Sequence, residues 1–141
     1  MIEVVVPATG RQVEDAFAVR VAVFVEEQGI PRSEEFDDLD ATAVHCIAYA
    51  GGVPVGAGRL LPGDGYAKIG RMAVLAERRG SGIGGMVLDA LEREGAARGI
   101  RLFKLSAQVT ARAFYERHGY TALGDVYDEV DIPHIAMEKR V

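Results

Sequence analysis

The run Arg79-Gly80-Ser81-Gly82-Ile83-Gly84-Gly85 constrains the fold more than any other segment of the chain. Its glycines disfavour an ordinary helix, yet apolar residues at the spacing of a helix face begin inside it. These residues are Ile83, Met86, Val87, Ala90 and Leu91. An apolar, strand-like run ending at Val74 precedes the glycines. The predicted order is a strand, a glycine loop and a helix, whose first N–H groups suit a phosphate or pyrophosphate. Arg78 and Arg79 favour the same anionic ligand.

Two well-known phosphate loops fit this run less well. A P-loop ends in Gly-Lys-Ser/Thr, and the chain contains no such tripeptide. The dinucleotide fingerprint G-x-G-x-x-G is present at Gly80, Gly82 and Gly85, but it expects an acidic residue about 20 positions later. That place holds Lys104-Leu105-Ser106, so a nucleotide-binding oxidoreductase is only a distant alternative. A tight turn that binds no ligand is the structural alternative.

A third motif matches better. The pattern Arg79-x-x-Gly82-x-Gly84 resembles the R/Q-x-x-G-x-G/A motif of the GCN5-related N-acetyltransferases, the GNAT family, whose loop holds the pyrophosphate of acetyl-CoA. The preceding segment 68–74 resembles the strand that feeds this loop in the family. Segment 111–120 resembles the family's late helix, often written A-x-x-F-Y-E-x-x-G-F/Y.

The resemblance covers nearly the whole chain and implies its fold. Segments 23–28 and 132–137 are similar to the small bacterial subgroup of ElaA-like and YjcF-like acetyltransferases. The fold implied is a single GNAT-like domain over residues 1–141. It is an α/β sandwich with a mixed, mostly antiparallel central sheet, splayed middle strands and flanking helices in the order βαβββαβαββ. Periodicity alone indicates only a mixed α/β sandwich.

The patterns also predict element boundaries. Helices are expected from residue 11 to about residue 28, from residue 82 to near residue 99, and from residue 110 to residue 118, with Thr110 as the N-cap of the last. Strands are expected over residues 2–6, 42–50, 53–61, 66–74, 101–109 and 132–137, with a further one around Val126.

The resemblance implies acetyl-CoA as cosubstrate and no metal. Two strands, containing residues 72–74 and 105–107, splay apart in the family, and the pantetheine arm pairs with the exposed edge. The coenzyme contacts that the resemblance implies are Met72, Ala73, Val74, Arg79, Gly80, Ser81, Gly82, Ile83, Gly84, Gly85 and Phe114.

The same resemblance assigns catalytic roles with unequal support. Tyr115 matches the tyrosine that protonates the departing thiolate, and a phenol with a pKa near 10 is protonated at neutral pH. Packing in the core is its structural alternative. Some family members place a basic glutamate on the strand before the loop, but residues 66–71 contain no carboxylate. The remaining candidates are Glu27, His45, His134 or a water molecule. We assign Glu27 to catalysis and His45, Arg71 and His134 to the substrate side, although a lone histidine is more often structural.

Charge is unevenly distributed along the chain. Segment 26–40 holds seven acidic residues and one arginine, Arg32, whereas the whole chain has a net charge of −5. If this segment forms the rim of the substrate pocket, its negative charge attracts a cationic amine. The alternative is a solvated loop with no part in substrate binding.

Composition excludes several classes of protein. With 141 residues, of which 49% are hydrophobic and 26% charged, the chain suits one globular domain. The net negative charge argues against a nucleic-acid partner, and no apolar run is long enough to cross a membrane. Neither a secretory signal nor a disulfide is expected, since Cys46 is the single cysteine. A cytoplasmic monomer or homodimer with a buried thiol is predicted.

The leading hypothesis is an acetyl-CoA-dependent N-acyltransferase. It would move an acetyl group directly to a primary amine of a small molecule or peptide. The alternative is a non-catalytic acyl-CoA-binding or sensing module on the same fold, which the missing strand glutamate favours.

Overall fold

The computed structural model describes residues 1–141 and has the predicted order of elements. The strands are β1 Ile2–Val5, β2 Val44–Ala50, β3 Val53–Pro62, β4 Ala67–Val74, β5 Leu102–Gln108, β6 Thr121–Glu129 and β7 Ile132–Arg140. The helices are α1 Arg11–Arg20, α2 Arg32–Glu35, α3 Ile83–Ala97 and α4 Arg112–Arg117. A π-helix, Val21–Glu27, extends α1, and short 3₁₀ turns cover Asp38–Ala41, Ala76–Arg78 and Val109–Ala111.

The strands form one sheet in the order β1-β2-β3-β4-β5-β7-β6. Every neighbouring pair is antiparallel except β4 and β5, which run parallel. These two strands pair only at Ala67 with Phe103 and at Lys68 with Lys104. Beyond these pairs they diverge, which confirms the splayed middle strands and leaves a cleft in the sheet.

A β-bulge lies on β4 beside this cleft. Gly70 pairs with Arg59 and Ala73 with Ala57, so two residues of β4 lie opposite the single Gly58 of β3. One of the two, Arg71, has a φ of 53°, which is uncommon for a residue with a side chain. A bulge of this kind turns a side chain away from the regular alternation, and Arg71 lines the cleft as a result.

Helices pack on both faces of the sheet. The larger core cluster joins α3 to one face and contains Ile69, Val87, Leu91 and Phe103. The smaller cluster joins α1 and the π-helix to the other face. No helix of this fold is both long and apolar enough to cross a membrane.

Two local predictions are corrected by the structure, and one buried charge was not predicted. Met86 was expected on the buried face of α3 but is 40% exposed, and Leu88 is buried instead. Thr110 does not cap α4, since it lies within a 3₁₀ turn and the helix begins without a side-chain cap. Arg20 of α1 is buried, at 1% exposure, because it pairs with carboxylates that approach from other elements.

Candidate active site

A cavity of about 690 Å³ fills the cleft between the splayed ends of β4 and β5. Its walls include residues 72–74 of β4 and residues 106–108 of β5. Tyr115 of α4, His134 of β7 and Arg79 of the glycine loop also line it. This volume suits a small organic ligand, for which cavities of about 300–1,000 Å³ are usual.

The glycine loop ends in an unpaired helix N-terminus. Gly82 caps α3 with a φ of 88°, a backbone conformation that favours glycine. The first backbone hydrogen bond runs from the Met86 N–H to the Gly82 carbonyl, at 3.1 Å. The N–H groups of residues 83–85 therefore have no partner within the helix. A Cβ added at Gly80 or Gly82 would have no atom within 4 Å, so a ligand is able to approach the backbone there.

The next two glycines have a packing role. A Cβ on Gly84 would lie 3.3 Å from Cζ of Phe114, and one on Gly85 would lie 2.9 Å from Cε1 of His118. Glycine at these positions allows α4 to pack closely against α3. Phe114, which was assigned to coenzyme contact, lies against the helix and is not among the residues that line the cavity.

Arg79 connects three elements at one end of the cavity. Its Nε donates to the carbonyl of Val74 at 3.1 Å, and its Nη1 and Nη2 donate to the two carboxylate oxygens of Glu27 at 2.6 Å each. The hydrogen bond from Arg79 lowers the pKa of Glu27, whose side chain is exposed. Glu27 is therefore a poor general base, and it lies outside the residues that line the cavity. This geometry does not support the catalytic role predicted for Glu27.

Tyr115 has the properties of a proton donor. Its ring is 8% exposed and packs edge-on against Phe114 and Tyr120, with centroids 5.0 and 5.8 Å away. Burial alone raises the pKa of Tyr115, so the hydroxyl keeps its proton at neutral pH. Tyr115 is also one of the residues that line the cavity.

His134 lies on the other wall of the cavity. Its ring is largely buried, and Nδ1 lies 2.7 Å from the carbonyl oxygen of Ile132. Nε2 lies 3.7 Å from a carboxylate oxygen of Glu129. The ring also stacks on Tyr127, with centroids 6.2 Å apart. A backbone carbonyl, a carboxylate and an aromatic ring thus hold the imidazole in place on the cavity wall.

A network of three arginines and three carboxylates forms part of the wall of the cavity. Arg20 binds Glu35 at 2.8 Å and Asp40 at 2.7 Å, and Arg59 binds Asp37 and Asp40 at 2.8 Å each. Burial opposes ionisation of Asp40, but the two arginines outweigh it and lower the pKa of this carboxyl to about 2. In Glu35, burial outweighs the arginines and raises the pKa.

Arg71 completes this network and reaches the cavity. Its Nε donates to the carbonyl of Glu35 at 3.0 Å, and its Nη2 lies 3.4 Å from a carboxylate oxygen of Asp37. Burial lowers the pKa of the half-buried Arg71 guanidinium. The substrate-side position predicted for Arg71 is thus consistent with where the side chain lies.

The comparisons with known proteins identify the family. The family model described as "Acetyltransferase (GNAT) domain" matches residues 13–141. The chain belongs to the GNAT acetyltransferase family. It is 42% identical over 139 residues to the uncharacterized N-acetyltransferase YjcF of Bacillus subtilis, covering 98% of this chain and 99% of YjcF. The crystal structure of Escherichia coli ElaA matches with a TM-score of 0.87 and 29% identity, over 99% of this chain and all of the ElaA chain.

A coenzyme complex shares the fold. The PaiA N-acetyltransferase of Thermoplasma acidophilum, solved in complex with coenzyme A, matches with a TM-score of 0.75, over 100% of this chain and 99% of the PaiA chain. Its 18% identity shows the common GNAT fold alone. The family match over residues 13–141 and the 42% identity to YjcF show that the chain is an acetyltransferase, and acetyl-CoA is the acyl donor that its family uses. The free N–H groups and the open glycine surface of its loop fit a pyrophosphate.

His45 lies away from the GNAT cleft. Its Nε2 is 2.8 Å from the Asp40 carbonyl oxygen, and its Nδ1 is buried without a hydrogen-bond partner. The ring packs against Phe17, with centroids 5.3 Å apart. The predicted substrate contact through His45 is not supported, because this side chain supports the loop that contains Asp40.

The acidic rim is also weaker than its sequence indicates. Of the seven acidic residues, Glu35, Asp37 and Asp40 are paired with arginines of the network, and Glu27 is paired with Arg79. Only Glu26, Glu34 and Asp38 remain outside these pairs, alongside Arg32. The structure therefore removes most of the charge on which the predicted attraction of a cationic amine depends.

Three residues near His134 were not predicted. Tyr127 stacks on it, Glu129 faces it, and the hydroxyl of Ser106 bonds to the hydroxyl of Tyr127. The two-residue turn at Val130 and Asp131 sets this arrangement, because it pairs Tyr127 with His134 across the hairpin. Both turn residues have positive φ values, 47° and 61°, and the usual Asn-Gly signal is missing.

Cys46 is inert, in agreement with the prediction of a buried thiol. It has no exposed surface and forms no disulfide. Burial raises its pKa to about 12, so the nucleophilic thiolate is scarce at neutral pH.

Proposed function

We propose that this GNAT acetyltransferase moves the acetyl group of acetyl-CoA directly to a primary amine of a small molecule or peptide. The observation that carries the proposal is that one continuous cavity contains both Arg79 of the glycine loop and Tyr115. Arg79 marks the end that suits the pyrophosphate, and Tyr115 supplies a proton donor further along the cleft.

The roles of the residues follow from their positions. Acetyl-CoA supplies the acetyl group as an activated thioester. The free N–H groups of residues 83–85 bind the pyrophosphate, aided by the partial positive charge at the start of α3. The unpaired edge of β4 at residues 72–74 orients the pantetheine arm. Tyr115 then donates its proton to the departing sulfur.

The acceptor enters from the side bounded by Arg71 and His134. Basic and acidic groups both line the cavity, among them Glu34, Glu129, Arg71 and Lys68. This mixed lining favours an amine that carries other polar groups over a purely cationic one. A primary amine at this end would meet the acetyl carbon in the middle of the cleft, where proximity itself accelerates the transfer.

A panel of five amines tests the proposal. Spermidine, tryptamine, kanamycin, glycine ethyl ester and a lysine-containing peptide would each be incubated with acetyl-CoA and the wild-type protein. We expect release of the coenzyme A thiol together with the mass of an N-acetylated product for at least one amine. Tight coenzyme A binding without acetylation of any amine would contradict the proposal and favour the non-catalytic binding module.

A further inference from the structure

The environment of His134 extends the proposed function. We propose that His134 is the general base, and that its Nε2 accepts the proton that the acceptor amine loses. The inference rests on the proposed acetyl transfer, since it assigns the residue that makes the amine nucleophilic. It would replace the glutamate that is missing from residues 66–71 of β4.

Backbone geometry fixes the tautomer of His134. A carbonyl oxygen only accepts hydrogen bonds, so the 2.7 Å contact with Ile132 requires a proton on Nδ1. The neutral ring then carries its lone pair on Nε2. This nitrogen has no hydrogen-bond partner in the chain and is not fully enclosed, and His134 lines the cavity. An acceptor of protons is thus held on the wall that faces the substrate.

A carboxylate and an aromatic ring pack against the imidazole of His134. On β6, the Glu129 carboxylate lies 3.7 Å from Nε2 and would stabilise the imidazolium that forms. Tyr127 stacks on the ring and is itself held by the hydroxyl of Ser106 on β5. Gln108, the β5 partner of His134, is uncharged and bonds to Gln28 at 2.8 Å. The charged group in contact with Nε2 is therefore one of opposite sign to an imidazolium.

The other candidate bases are occupied or enclosed. His45 Nε2 is within hydrogen-bond distance of the Asp40 carbonyl oxygen, and its Nδ1 is buried in the interior. His118 packs against Phe114 and beneath Gly85. Glu27 is held by Arg79. His134 alone among the three histidines lines the cavity.

The proposed transfer balances in protons. The ammonium form of the amine first loses one proton to His134 Nε2, which releases it to solvent. The neutral nitrogen then forms a bond to the acetyl carbon and loses a second proton to the same Nε2. The carbon–sulfur bond breaks, and the sulfur takes one proton from the Tyr115 hydroxyl. His134 and Tyr115 then return to their starting states by passing one proton through solvent. The products are an N-acetylated amine and the coenzyme A thiol.

The variant His134→Asn tests the assignment. Asparagine retains an N–H donor for the Ile132 carbonyl but has no basic nitrogen. With the best amine of the five, wild-type kcat/KM should fall as the pH is lowered, because an Nε2 that already carries a proton is unable to act as a base. His134→Asn should lose this acid limb, and its kcat/KM at neutral pH should fall by about 10²–10⁴-fold. The deficit should shrink at alkaline pH, where the amine deprotonates without help.

Two further measurements separate catalysis from folding. Asp128→Asn, on the same hairpin but outside the cavity, is the matched control and should keep the wild-type profile. Coenzyme A affinity, measured by calorimetry, should be unchanged in both variants. Nitrogen-15 NMR of the unliganded wild type should show the Nδ1–H tautomer of His134, which is a readout that does not depend on activity.

The outcomes distinguish the two proposals. If the wild type acetylates none of the five amines, the proposed function fails. If the wild type is active and His134→Asn keeps both its rate and its acid limb, only the role of His134 is overturned. An Nε2–H tautomer in the NMR spectrum would overturn it as well.

Discussion

Two glycines at opposite ends of α3 provide a matched test of the coenzyme loop. Gly82 and Gly99 have nearly the same backbone conformation, with φ values of 88° and 84°, and a Cβ at either would meet no atom within 4 Å. Alanine at either position should therefore lower the free energy of unfolding by a similar amount, about 1–2 kcal/mol, because of left-handed strain. Only the methyl group at position 82 lies where the pyrophosphate is expected to approach the backbone.

The expected difference lies in coenzyme A binding. Loss of one charge-assisted hydrogen bond from the loop is worth about 1.5–3 kcal/mol, which corresponds to an increase in Kd of about 10- to 150-fold. Calorimetric titration of coenzyme A should show this increase for Gly82→Ala and a wild-type Kd for Gly99→Ala. Urea denaturation should show that both variants remain folded and are destabilised alike. Equal Kd values in the two variants would refute the assignment of the loop as the pyrophosphate site.

Three further predictions concern single side chains. Tyr115→Phe should reduce kcat by about 10²–10⁴-fold while coenzyme A affinity stays unchanged. If kcat is unaltered although the chemical step limits the rate, Tyr115 serves only in packing. Glu27→Gln should tighten coenzyme A binding, because Arg79 is then free to face the pyrophosphate. The control variant Glu26→Gln should leave the affinity unchanged. A fall in kcat for Glu27→Gln alone, with no change in coenzyme A affinity, would instead support Glu27 as a catalytic base. Since folding lowers the pKa of Asp40 from 3.8 to about 2, its ionised form stabilises the protein above that range, and the effect is lost as pH falls from about 4 to about 2. Asp40→Asn should therefore lower the free energy of unfolding by at least about 1–2 kcal/mol at neutral pH. In urea titrations, the free energy of unfolding of this variant should also depend less on pH between about 4 and about 2, and Asp38→Asn is the control that should behave like the wild type.

The parts of the fold that local rules govern were predictable from the sequence. The turn at Gly51 and Gly52, which have φ values of 56° and 83°, separates β2 from β3 as expected. The glycines before α3 likewise marked a helix start, and Gly99 marked its end. In each case one residue without a side chain is needed at a positive φ, and the requirement is visible in the sequence itself.

The charge network was not predictable, because it is non-local. Arg20 meets Glu35 and Asp40 across 15 and 20 residues of chain, and Arg59 meets Asp37 across 22. The sequence shows seven acidic residues close together, but it does not show which arginines lie next to them once the chain has folded. An acidic segment was thus interpreted as an exposed rim, although three of its seven acidic residues, Glu35, Asp37 and Asp40, form ion pairs in the arginine network.

The pairing of Glu27 with Arg79 was not predicted, for a related reason. The seven-residue π-helix that follows α1 changes the number of residues per turn, and no proline or glycine within it signals the change. It ends at Glu27, whose carboxylate meets Arg79 from 52 residues away. A regular α-helix, which is what the sequence pattern indicates, gives no reason to expect that pair.

The burial of Cys46 has a consequence for the chemistry of an acetyl thioester. A reactive cysteine on the enzyme would be open to thioester exchange, in which its thiolate takes the acetyl group of acetyl-CoA and the coenzyme A thiol is released. The only cysteine of this chain has no exposed surface and a pKa of about 12, so this side reaction has no protein nucleophile. The acetyl group of the donor is thereby protected from diversion to a cysteine of the enzyme itself.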